Sequence, residues 1–196
     1  MELITWVVLG LALLLAAAWY LSYSASRLDR LHAKVEGALS ALDAALVRRA
    51  ETSLELANSG ALDPASALLL ASAASEALER TTTHALENDP LEGQNFGGRE
   101  DVESDLTDAL AATLTGSVRD DIRTGPGPAA DVLERVHTAG RRVQFARNFY
   151  NQAVRDVVRV RAKPIVRWLH LAGHADLPQT VDFDDSLPGE QPEQAR

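Results

Sequence analysis

The chain has 196 residues, 46% of them hydrophobic, a net charge of −9 at pH 7 and no cysteine. One ordinary domain fits that length, and the missing cysteine excludes a disulfide scaffold, a cysteine nucleophile, an iron–sulfur site and any Cys-bearing zinc site. Aromatics at 5% leave too little material for an all-β sandwich, and the acidic surplus argues against a nucleic-acid binder.

The first segment reads as a membrane anchor. No charged residue occurs from Leu3 to Ala25, and Leu3–Tyr23 alone runs for 21 residues. As a helix that run spans ~30 Å, the thickness of a hydrocarbon core. Trp6 marks one end and Trp19, Tyr20 and Tyr23 the other, as interfacial rings do. A cleaved leader would want a basic start and a shorter apolar core. Here the only early side-chain charge is Glu2, although Ser24-Ala25-Ser26 has the small residues of a cleavage site. Arg27, Arg30 and Lys34 follow the span and no base precedes it. The positive-inside rule then places the N-terminus outside and the body in the cytoplasm, as a single-pass protein of the cell membrane.

The remainder reads as helices. Leu28, Leu31, Val35, Ala38, Leu42 and Ala45 form a heptad-like seam, on a helix that continues the span and runs to about Asn58. Ser59-Gly60 closes it, and Asp63-Pro64 opens a second helix as N-cap and first helical residue. That helix carries Leu68, Leu69, Ala73, Ala77 and Leu78 and ends near Glu87. A polar loop follows, with Phe96 as its one aromatic group. Val102, Leu106, Leu110, Leu114, Val118 and Ile122 recur every fourth residue in a third helix over Glu100–Arg123, which Gly116 is placed to bend or end. The turn Thr124–Pro128 precedes a fourth helix with the longest stripe, Val132, Val136, Ala139, Val143, Ala146, Tyr150, Ala153, Val157 and Val160, widened by Leu133, Phe145, Phe149 and Val154. Pro164 ends it. These elements predict an all-α protein: a transmembrane anchor over 1–26, a long antiparallel up-and-down helical bundle over 27–172, and an acidic, largely disordered tail over 173–196.

Between Glu87 and Asp121 ten acids face two bases, and between Arg135 and Arg167 nine bases face one acid. That balance predicts that the third and fourth helices lie side by side. It also gives the arginines of the fourth helix a solvated, partly paired role rather than a nucleic-acid one.

The sequence offers no catalytic, cofactor-binding or metal site. His170 and His174 have helical metal-ligand spacing, but Gly173 interrupts them and no acid lies between. A di-metal bundle requires a Glu-x-x-His unit on each of two helices, and the chain has a single one, Glu134 with His137. Gly125-Pro-Gly127 lacks the lysine of a phosphate loop. Tyr150 belongs to the core with a hydroxyl in need of a partner, and Asn151 beside it is placed to bridge to the first helix at Asp43 or Arg49. The segment 163–171, apolar with basic punctuation and Trp168, is suited either to capping the bundle or to a second, peripheral bilayer contact.

Two stretches resemble the LemA family. Leu28–Arg49, with Val35, Leu42-Asp43 and the double Arg48-Arg49, is similar to its first block. Ala146-Arg147 with Tyr150-Asn151 and Val154 is similar to its second. Ala50-Glu51-Thr52-Ser53 and Lys163-Pro164 depart from the pattern and mark a divergent branch. The resemblance implies a membrane-anchored antiparallel helical bundle without catalysis. The expected function is therefore a non-catalytic interaction or scaffold module, tethered through residues 3–23 and meeting a protein partner. The alternatives are an exported or outward-facing bundle and a metal-dependent bundle enzyme.

Overall fold

The computed structural model describes residues 2–83, 98–162 and 177–189. All regular structure among them is helical: α1 (Glu2–Ala57), α2 (Pro64–Thr83), α3 (Arg99–Thr113), α4 (Gly116–Thr124) and α5 (Ala129–Arg161).

α1 is one unbroken helix of 56 residues. Its first third is long and apolar enough to cross a membrane, and none of that apolar window is buried against the rest of the protein. The core begins beyond it, at Leu31 and Val35. α1 closes as Ser59 turns its hydroxyl onto the Leu56 carbonyl and Gly60 adopts φ +75°, the left-handed conformation glycine takes without a Cβ penalty. Asp63 caps α2, its carboxylate accepting the N–H groups of Ala65 and Ser66. A hydrogen bond with the Ser66 side chain, and then those backbone bonds, hold its pKa below the ordinary value.

α1 packs most extensively on α5 and then on α2, while α2 packs on α3 and α4 on α5. Lys34 of α1 pairs with Asp156 of α5, and Glu55 pairs with Arg135. α5 therefore retraces α1 in the opposite sense. Two cores result. One joins the end of α1 to α2, α3, α4 and the start of α5, through Leu56, Leu70, Leu106, Leu114 and Leu133. The other lies between the middle of α1 and the second half of α5, through Val35, Leu42, Leu46, Tyr150 and Val157.

Four expectations are corrected. The third helix is two, because an every-fourth stripe drifts around a helix with ~3.6 residues per turn, and the break at Leu114 lets Leu114 and Ile122 face one core. On α2 the buried positions are Leu70, Ala74 and Ala77, while Leu68 stays 72% exposed. Phe145 and Phe149 do not widen the α5 stripe but stand 69% and 52% exposed, with the Lys34 ammonium 5.5 Å from the Phe149 ring centre. The acids of α3 do not pair with α5 among the described residues. Glu103 goes to Arg49 of α1, and the α5 bases pair with Glu55 and the C-terminal segment.

Candidate functional site

The tail is not a free acidic chain throughout. Residues 177–189 lie as an extended strap against the helices, with Val181, Phe183 and Leu187 buried. An extended chain turns alternate side chains to opposite sides. Val181, Phe183, Asp185 and Leu187 thus face inward, while Asp182, Asp184 and Ser186 face solvent. Apolar burial and main-chain hydrogen bonds offset the ordering entropy that composition alone would leave uncompensated.

Side chains of the helices hold the strap by its backbone. Asn151 donates its amide to the Val181 carbonyl at 2.8 Å and accepts the Val181 N–H at 2.9 Å, a two-point clamp on one residue. The Tyr150 hydroxyl donates to the Gln179 carbonyl at 2.9 Å, and burial pushes its pKa up to about 12. Gln144 donates to the Asp185 carbonyl. From α3, Glu100 accepts the Asp182 N–H, Ser104 accepts the Asp184 N–H and Thr107 donates to the Asp184 carbonyl. From α4, Arg119 donates to the Pro188 carbonyl. Asn151 therefore clamps the strap rather than bridging to α1.

The inward side chains meet matched surroundings. Phe183 lies between two guanidinium groups, Arg49 and Arg147, each within 6 Å of its ring centre (5.9 and 5.7 Å), close enough for cation–π attraction. Arg147 also grips Asp185 with two nitrogens, at 2.6 and 3.0 Å. Leu187 fills the notch over Gly140, where a Cβ would meet its Cδ2 at 2.3 Å. A mid-helix glycine costs roughly 1 kcal/mol against alanine, and here its missing side chain is the pocket.

Beneath the strap lies a buried ion cluster. Arg49 (2% exposed) donates to the Glu103 carboxylate at 2.7 Å, to the Glu103 carbonyl and to Thr107, while Glu103 is 1% exposed. Arg99, also buried, pairs with Asp43 at 2.6 Å and donates to Thr81. Thr52 and Ser53 are buried and return their hydroxyls to carbonyls of α1. Asp43 and Arg49 thus serve α3, not Asn151.

Beside the strap's C-terminal end, Arg119, Arg123, His137 and Arg141 line a basic cleft with Glu134 and the strap's own Leu187. No group of His, Asp or Glu among the described residues is arranged to hold a metal ion. Phe96, the segment 163–171 with Trp168, and the pair His170 and His174 lie outside the described residues. The acidic, Pro- and Gln-rich composition of the tail conceals the strap. The period-two pattern Val181-x-Phe183-x-Asp185-x-Leu187 was the signal that marks it.

No family model, no curated protein and no solved structure matches the chain.

Proposed function

We propose that the chain is a membrane-anchored, non-catalytic interaction module, similar to LemA family proteins: an antiparallel helical bundle held in the cytoplasm by one N-terminal span. The observation that carries this reading is α1 itself. A single helix presents an unburied apolar segment at one end and the core-forming seam at the other, so an anchor would join the body without a flexible linker. The buried charges support a structural rather than catalytic role, since Arg49, Glu103 and Arg99 are occupied with one another, with Asp43 and with threonines.

Membrane fractionation with alkaline extraction tests the anchor. The full chain should stay with the lipid, and a chain lacking residues 1–26 should not. Reporter fusions at either end test orientation, since only a cytoplasmic C-terminus agrees with Arg27, Arg30 and Lys34 following the span. A full chain released by alkaline extraction overturns the anchor. A C-terminal reporter active only outside the cell favours the exported reading.

A further inference from the structure

We propose that the groove between α3 and α5 is a peptide-binding site exchanged between copies, in which one chain's residues 177–189 dock on a neighbouring chain. The ligand class is an extended segment reading apolar, x, aromatic, x, acid, x, leucine. This deepens the interaction-module reading and rests on it for the membrane tether.

Three observations carry it. First, the strap is held as a bound peptide is held. Helix side chains take its main chain at Gln179, Val181, Asp182, Asp184, Asp185 and Pro188, and alternate side chains enter pockets, the division of labour of strand-like peptide recognition. Second, the strap enters only one of the two cores: Val181 and Phe183 join the one around Leu42 and Tyr150, while the core around Leu56, Leu70 and Leu106 contains no strap residue and is built without it. Third, the sequence that fits the pockets is present in every copy. The 14 positions from 163 to 176 tether the strap to α5. Fully stretched they reach ~50 Å, against ~20 Å across two packed helices, so a neighbour's groove lies within range.

Exchange replaces each contact within a chain by the same contact between chains, leaving tether entropy and local concentration to set the balance. Anchoring decides that balance. Because α1 is continuous from the apolar segment to the core, all copies in one membrane carry groove and strap at the same height. Confinement to a plane then raises the concentration of foreign straps at each groove. Within-chain docking holds at low density and exchange grows with density.

The natural absence of cysteine permits a direct test. Two differently tagged full chains, one Ser104→Cys and the other Asp184→Cys, are co-expressed and treated with a short thiol crosslinker. These positions meet where the Asp184 N–H bonds the Ser104 hydroxyl. The double variant in a single chain checks that they can be linked. A mixed linked pair that increases with expression level is the expected result. Adding Arg147→Glu to the first chain alone should lower it about tenfold, by loss of a charge-assisted bidentate contact. Adding Asp185→Lys to the second chain as well should restore it, because each strap then matches only the other chain's groove. If no mixed pair forms while the double variant links within its own chain, exchange does not occur. If the double variant does not link, the strap is not docked and the site itself is wrong. If the pair is indifferent to Arg147→Glu, it arises from collision alone. Links are scored in both membrane and soluble fractions, so a chain found in the soluble fraction counts against the anchor without deciding the exchange.

Discussion

At the scale of single residues, Arg49 and Glu103 are a charge pair removed from water. Neither would tolerate that alone, since an ion taken from water costs several kcal/mol and a good partner only roughly compensates. Glu103→Gln keeps the shape but leaves Arg49 facing a neutral group. We expect it to lower stability by about 3–5 kcal/mol, read as a shift in the urea midpoint with unchanged slope. Tyr150 gives a pH signature. Burial raises its pKa from 10 to about 12, so the folded protein favours the neutral phenol. The stability this contributes is complete below pH 10 and disappears as pH rises toward 12. Phenolate absorbance should show one tyrosine with a midpoint near 12, falling toward the ordinary value when residues 177–189 are deleted. Tyr150→Phe should remove that transition and cost about 0.5–1.5 kcal/mol for the lost bond to Gln179.

At the scale of elements, Gly140 sets helix against strap. Alanine there would favour α5 by roughly 1 kcal/mol, but its Cβ would drive Leu187 from its notch, and burying a leucine is worth about 1.5–3 kcal/mol. Gly140→Ala should therefore leave the melting temperature little changed or slightly lower, while amide exchange rises at residues 185–187. Equal protection in both proteins would show that Leu187 does not depend on the notch. The helices themselves were legible because burial imposes a period of 3.6 residues on α1 and α5, and Val35, Leu42, Val136 and Val157 carry it. α2 was less legible, since its alanine-rich faces differ little in apolarity, and the buried row fell on Leu70 and Ala74 instead of Leu68. The strap was hidden for a different reason. Its hydrogen bonds come from side chains of α3, α4 and α5, far away in sequence, so no local signal records them. The ion cluster was equally nonlocal, since nothing near Arg49 announces Glu103, 54 positions on.

At the scale of the whole molecule, one helix contains both the apolar N-terminal segment and the start of the body, and the two are expected to be energetically separable. Both cores lie at or beyond Leu31, and Lys34, the first base of α1 in an ion pair with another element, reaches Asp156. Its ammonium lowers the Asp156 pKa by a hydrogen bond and by its charge. No described residue before Leu31 belongs to either core. Deleting residues 1–26 removes the apolar segment and one end of α1, where fraying affects only the few residues before Leu31. We expect the shortened chain to remain in solution without detergent, to show a strongly helical circular dichroism spectrum and to melt cooperatively. A loss of about 1 kcal/mol through fraying would lower the melting temperature of a body this size by only about 2–4 °C. If the apolar segment anchors the chain as proposed, the same deletion also removes confinement to a plane, so at low concentration the strap should return to its own groove and mixed crosslinked pairs should vanish. A shortened chain that aggregates, or that melts without cooperativity, would show that the apolar segment is needed to hold the body together and that α1 cannot be divided into anchor and core.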